Sequence, residues 1–154
     1  MKTEIQIPIE RTWVDMEPCI VIRTKKPMAE MGPFFRSAFG KMYAYASTKT
    51  VPMQAFARYY DWSNDLIDFD AGVMVKKAIE AQGDIQPGRY GGHEAIKALH
   101  IGPYAKIEAV YDAMQTYMKD HELQPGGAPY EVYLNSPDEV PESELKTEVF
   151  WPIK

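Results

Sequence analysis

Strict alternation of apolar and polar positions runs through Tyr130-Glu131-Val132-Tyr133-Leu134. An extended chain there puts Tyr130, Val132 and Leu134 on one side, and Glu131 and Tyr133 on the other. A carboxylate thus shares its face with an aromatic ring. The same period marks KTEVFWPI near the C-terminus, with Thr147, Val149 and Trp151 on one face and Glu148 and Phe150 on the other. CIVIRTKK, MQAFARYYDW, DFDAGVMVKK and EAIKALH also read as strands, and the chain runs from Met1 straight into an alternating pattern. Two stretches switch to helical spacing. Ile107, Val110, Tyr111, Met114 and Met118 form one apolar stripe, ending near His121-Glu122-Leu123 ahead of Pro125-Gly126-Gly127. Phe35, Ala38, Phe39, Met42 and Ala46 form the other, weakened by Gly40. Both stripes read as core.

The order of these elements repeats. Met31-Gly32-Pro33-Phe34 recurs as Ile101-Gly102-Pro103-Tyr104, each after a strand-like stretch and each opening a helix, with proline near the first helical position. Two further strands follow each helix, the first pair separated by Ser63-Asn64-Asp65 and the second by Ser136-Pro137-Asp138-Glu139. The chain is therefore expected to be one α+β domain over residues 1–154, with pseudo-repeats of roughly 1–79 and 80–154 joined at Glu80-Ala81-Gln82-Gly83. Its two β-α-β-β units form an antiparallel sheet with both helices on one face. The other face is expected to be concave and open, with a ligand cleft between the halves. Burial of Glu148 under helices would be costly, which assigns Glu148 and Phe150 to that open face.

Composition narrows the function classes. The 17 Lys and Arg against 22 Asp and Glu give a net charge of −5, without a basic stripe, which argues against direct nucleic-acid binding. The short basic clusters Arg23-Thr24-Lys25-Lys26 and Lys76-Lys77 read as solvated strand ends. With 10 Tyr, 6 Phe and 3 Trp in 154 residues, the chain carries more ring surface than a core of this size needs, and 9 Met add adaptable apolar surface. Cys19 is the single cysteine and reads as a buried structural thiol. No signal peptide or membrane-length apolar run is visible, so a cytoplasmic location without membrane partners is expected. His93-Glu94-Ala95-Ile96-Lys97 has Lys where a zinc-protease helix needs its second His; His93 and His100 fall on opposite strand faces. Gly88-Arg89-Tyr90-Gly91-Gly92 reads as a turn between strands and lacks the lysine of a phosphate loop. Neither a metal nor a cofactor is expected.

In series, HIGPY (100–104), the helix with VYDAM, HELQPGGAPYEVYLNSP (121–137) and TEVFWPI (147–153) resemble the GyrI-like small-molecule-binding domain. That domain also serves as the effector-binding half of AraC- and MerR-type multidrug-responsive regulators. The resemblance implies a duplicated fold whose cleft takes bulky, aromatic and often cationic compounds. It places the key polar group at Glu131 and its companion ring at Tyr133. By the repeat, Ala57 falls where Glu131 does and Tyr59 where Tyr133 does, so the cleft holds one carboxylate. Tyr104, Tyr111, Trp62 and Phe150 complete the expected ligand-binding set, with Trp62 at the rim.

Three roles follow from the resemblance. The first is a stand-alone domain that senses or sequesters hydrophobic, aromatic, cationic xenobiotics. The second is a hydrolase of electrophiles such as cyclopropanoids, with Glu131 as the catalytic group that activates water and a tyrosine polarising the carbonyl. The third is a gyrase-inhibitor-like interaction module, whose acidic loop with Asp138, Glu139, Glu142 and Glu144 would engage DNA gyrase as a protein partner.

Overall fold

The computed structural model describes residues 7–154; the alternation at the extreme N-terminus falls largely outside them. Eight strands and two helices follow one another along the chain. They are β1 (Glu10–Val14), β2 (Glu17–Lys26), α1 (Met28–Ser47), β3 (Pro52–Ser63), β4 (Leu66–Val75), β5 (Gln86–Tyr90), β6 (His93–Ile101), α2 (Glu108–Asp120), β7 (Tyr130–Tyr133) and β8 (Lys146–Pro152). The strands form one antiparallel sheet in the order β1-β6-β8-β7-β3-β4-β2-β5. The expected duplication is visible in that order: β6-β8-β7 mirrors β2-β4-β3 about the central β7·β3 pair.

The lead-in strands were not legible as such. β1 pairs with β6 of the other half, and β5 pairs with β2. Gly88-Arg89-Tyr90 is thus strand, and only Gly91-Gly92 turns. The links β1–β2 and β5–β6 must cross where the curled sheet brings its two edges together. Gly91 has φ 76°, and an added Cβ there would overlap the Asp15 carbonyl oxygen, so this crossing requires glycine.

Alternation along the strands separates two cores. On the inner face of the curl, Val14, Cys19, Phe56, Met74, Tyr90, Tyr130, Val132 and Phe150 pack together. Tyr130 stacks on Phe150 with ring centroids 5.1 Å apart, and Tyr90 meets Tyr130 edge-on at 5.4 Å. Burial in this layer pushes the Cys19 thiol up to about 11, consistent with an unreactive structural role. The opposite face carries the helices. α1 lays Ala38, Met42 and Ala46 on Ile20, Ile22, Ala71 and Val73, while α2 lays Val110, Met114 and Met118 on Ile96, Ala98 and Val149. Each stripe matches its helical spacing. Among the described residues, no helix is long and apolar enough to cross a membrane.

Proline placement differs from expectation in the first half. α1 begins at Met28, so Pro33 lies inside it rather than at its start. Pro103 does precede its helix, through a short 3-10 turn at Tyr104–Lys106. The larger correction concerns the faces. The inner face carries the packed rings of Phe56, Tyr90, Tyr130 and Phe150, and Glu131 lies instead on the side that carries α1 and α2.

Candidate functional site

β3 and β7 run side by side at the centre of the sheet, with Ala57 directly opposite Glu131 and Ala55 opposite Tyr133. The pseudo-two-fold therefore passes between Ala57 and Glu131. One half offers a methyl group and the other a carboxylate. Both residues face the seam between the helices, because the alternate positions Phe56, Tyr130 and Val132 belong to the inner core.

Three tyrosines converge on Glu131. From α2, the Tyr111 hydroxyl donates to Oε2 at 2.7 Å. From β7 itself, Tyr133 donates to Oε1 at 3.0 Å. From the first half, Tyr59 reaches Oε1 at 3.5 Å and lies 3.4 Å from the Tyr133 hydroxyl. Glu131 is only 7% exposed. No Lys or Arg among the described residues forms an ion pair with it.

Burial raises the Glu131 carboxyl above its ordinary range, and the hydrogen bonds from Tyr111, Tyr133 and Tyr59 pull it partly back. Burial, and then the Glu131 charge, raise the phenols of Tyr59, Tyr111 and Tyr133 well above their usual value. All three hydroxyls therefore remain protonated donors at neutral pH. The result is a desolvated acid whose charge is met by three hydroxyl dipoles, with a lesser favourable contribution from His100.

Rings close over this group. Tyr133 meets Phe39 at 5.9 Å and Phe35 at 6.5 Å, both from α1, and meets Tyr104 at 5.8 Å. Tyr104 is 38% exposed, which places it at the rim. Trp151 of β8 lies edge-on to Tyr111 at 6.0 Å. On the strand floor, Thr147 stands opposite Tyr133 in β7·β8 and opposite His100 in β6·β8. The Thr147 hydroxyl is buried without a hydrogen-bond partner, while His100 Nε2 contacts the Pro103 carbonyl oxygen at 2.8 Å.

Of the seven residues expected from sequence, Glu131, Tyr133, Tyr59 and Tyr111 meet in one hydrogen-bonded group, and Tyr104 flanks it. Two stand elsewhere. Trp62 is 59% exposed near the far end of β3. Phe150 is on the inner face, stacked on Tyr130, and cannot share a wall with Glu131. The alternation that paired Glu148 with Phe150 holds; the assignment of the cleft to their side does not. Phe35 and Phe39 have the spacing of a packing stripe and so read as core, and placing Glu148 and Phe150 on the open face leaves Trp151 on the helix side, away from the expected cleft. The acidic residues Asp138, Glu139, Glu142 and Glu144 lie exposed on the loop before β8. No group of three or more His, Cys, Asp or Glu side chains suited to a metal ion occurs among the described residues.

Comparison with known proteins bears on this arrangement. The model of the GyrI-like small molecule binding domain matches residues 13–154. No curated protein matches the sequence. Among solved structures, the EcmrR C-terminal domain superposes with a TM-score of 0.83 at 17% identity, covering 97% of each chain. The chain spans only 57% of EcmrR in its DNA complex, again with a TM-score of 0.83 at 17% identity over 97% of this chain. A hydrolase from Listeria innocua gives 0.78 at 13% identity, covering 97% of this chain and 93% of that one. SAV2435 bound to tetraphenylphosphonium gives 0.59 at 9% identity, covering 97% and 94%. At these identities the structural likeness is one of fold.

Proposed function

We propose that this chain, which belongs to the GyrI-like small-molecule-binding domain family, binds lipophilic aromatic cations at Glu131. The observation that carries the reading is a buried carboxylate with three hydroxyl donors and, among the described residues, no Lys or Arg ion pair. An incoming cation supplies the missing charge, and the rings of Tyr133, Tyr104, Phe35 and Phe39 supply faces for it to stack on. Selection by charge resides in one atom pair, whereas shape is read by side chains that turn about two torsions each. Such a cleft accepts many ring systems of one charge, which suits sensing or sequestration of xenobiotics. SAV2435, a structural neighbour, is known bound to tetraphenylphosphonium, a ligand of this chemistry. The 7% exposure of Glu131 implies that rings swing aside when a ligand enters. Fluorescence tests this directly. Trp151, 6.0 Å from Tyr111, should be quenched by a cationic aromatic dye in a Trp13→Phe, Trp62→Phe background. Glu131→Gln should weaken that quenching titration about tenfold or more; an unchanged titration would remove the proposal.

A second reading rests on the same acid. A carboxyl raised by burial, 2.7 and 3.0 Å from phenol donors, is suited to general-base work. In hydrolysis of a cyclopropanoid dienone, Glu131 would take a proton from water as its oxygen bonds to the strained carbon. The breaking carbon–carbon bond delivers its electron pair toward the carbonyl, which a tyrosine hydroxyl would hydrogen-bond. Catalytic consumption of such a compound, lost in Glu131→Gln, would establish this reading; stoichiometric binding without turnover would discard it.

A further inference from the structure

The same central strand pair has a second side. One position along from Ala57 and Glu131, Arg58 stands opposite Tyr130, and both point to the inner face. Arg58 is held there by Asp70, which is 2% exposed: Nε lies 3.0 Å from Oδ1 and Nη2 lies 2.7 Å from Oδ2. The Tyr60 hydroxyl donates to the same Asp70 Oδ2 at 2.7 Å, and Arg58 Nη1 donates to the Arg89 carbonyl at 2.7 Å. A guanidinium has five N–H donors in a rigid fork, and these contacts occupy three. Beside it lies a pocket of about 220 Å³.

The pocket wall is built for a small ring bearing an acceptor. Tyr60, Tyr90 and Tyr130 give it aromatic sides, and Gly126 and Gly127 leave one side to backbone. His93 Nε2 and the Tyr130 hydroxyl are hydrogen-bonded at 2.9 Å and face it together. Burial lowers the His93 imidazole below its usual value, so it is neutral at pH 7. Among the described residues no acidic side chain lines the pocket, although the chain as a whole carries −5. Asp70 neutralises the net charge of Arg58 from behind, so selection comes from directed N–H groups rather than from field strength. A buried ion pair of this kind is no more stabilising than an apolar replacement of equal volume. Its effect here is to fix the fork at a cavity mouth.

We propose that this inner-face pocket is a second ligand site, separate from the Glu131 cleft, and that it takes a single-ring aromatic carboxylate. The carboxylate accepts from the free N–H groups of Arg58, and the ring lies among the tyrosines. Ligand sites for drug-sized compounds usually span about 300–1,000 Å³. The smaller volume here fits a single ring better than the multi-ring cations proposed for the other face.

The test is a ligand-detected ¹⁹F NMR titration with 4-fluorobenzoate, run beside a calorimetric titration with tetraphenylphosphonium. Binding of the benzoate with a Kd of about 1 mM or tighter is expected, a range natural for so few atoms. Gly127 has a backbone open to side chains, and an added Cβ meets Pro152 at an ordinary 3.5 Å. Gly127→Leu should therefore fill the pocket, weakening 4-fluorobenzoate about tenfold or more while leaving the phosphonium affinity unchanged. Arg58→Lys keeps a cation for Asp70 but loses the fork; it should weaken the benzoate about fivefold or more. That second variant decides the matter should Gly127→Leu fail to fold by circular dichroism. No benzoate binding, undiminished binding in both variants, or a loss seen in Glu131→Gln instead would each overturn the proposal. A failed phosphonium titration with the benzoate result intact would count against the Glu131 reading alone.

Discussion

Two acids lie buried on opposite faces of one strand group, and their surroundings differ in one respect. Asp70, 2% exposed, is clamped by the Arg58 guanidinium and accepts from Tyr60. Glu131, 7% exposed, accepts from three tyrosines and, among the described residues, forms no ion pair with Lys or Arg. Desolvation acts on both carboxylates. At Asp70 the chain supplies the opposite charge itself, so the carboxylate needs no outside cation. At Glu131 three hydroxyl dipoles and a lesser contribution from His100 meet the charge, and this contrast is what the proposed cation binding rests on. The repeat makes this plainer, since the pseudo-symmetric position holds Ala57. A requirement of the fold would be expected in both halves. A carboxylate present in one half is an addition to the fold.

The comparison breaks most visibly at the ion pair. Asp70→Asn would strand Arg58 at an inner position, and a loss of about 3–5 kcal/mol is expected. By calorimetry this should lower Tm by about 10 °C, with the cation preference of the cleft unaltered. Glu131→Gln should do the reverse. Cation binding falls about 10- to 100-fold, while the unliganded protein becomes no less stable at neutral pH.

A pH series sharpens the contrast. Because burial raises the Glu131 carboxyl in the folded state, the native protein holds its proton where the unfolded chain has lost it. Stability from this group therefore declines as pH rises from the ordinary glutamate value through the raised one. Glu131→Gln should remove that part of the slope, measured as Tm across a pH series that starts below the ordinary glutamate value and rises to neutral. Cation binding to the wild type should release protons over the same interval. The smallest effect belongs to Tyr111→Phe. It deletes the 2.7 Å hydrogen bond to Oε2, and it should move the Glu131 titration further upward, at a cost of about 1 kcal/mol in cation affinity.

Local rules carried much of this structure. Period-two alternation placed Glu131 with Tyr133, and Thr147 with Trp151, because a half-buried strand has no other way to sort its side chains. Helical stripes identified both helices, and the Gly-Pro repeat identified the duplication. What local rules could not reach was the pairing of elements far apart in sequence. β1 and β5 each join the other half, and only the closed curl reveals them. That curl also filled the inner face with Tyr130 and Phe150, which moved the cleft to the helix side. Tyr111 lies on a stripe that reads as core, and its hydrogen bond to Glu131 became evident only when α2 lay over that residue. Asp70 and Arg58 gave no signal at all, since a charged pair on adjacent strands reads like any solvated face.

The central claim concerns charge rather than shape, so it is tested by ligands that differ in charge alone. Tetraphenylphosphonium and tetraphenylborate present the same four rings around centres of opposite sign. Calorimetric titration of the wild-type chain should favour the phosphonium about tenfold or more, and Glu131→Gln should erase most of that preference. Equal affinities in the wild type, or a preference that survives the substitution, would contradict the assignment of Glu131 as the cation-selecting group.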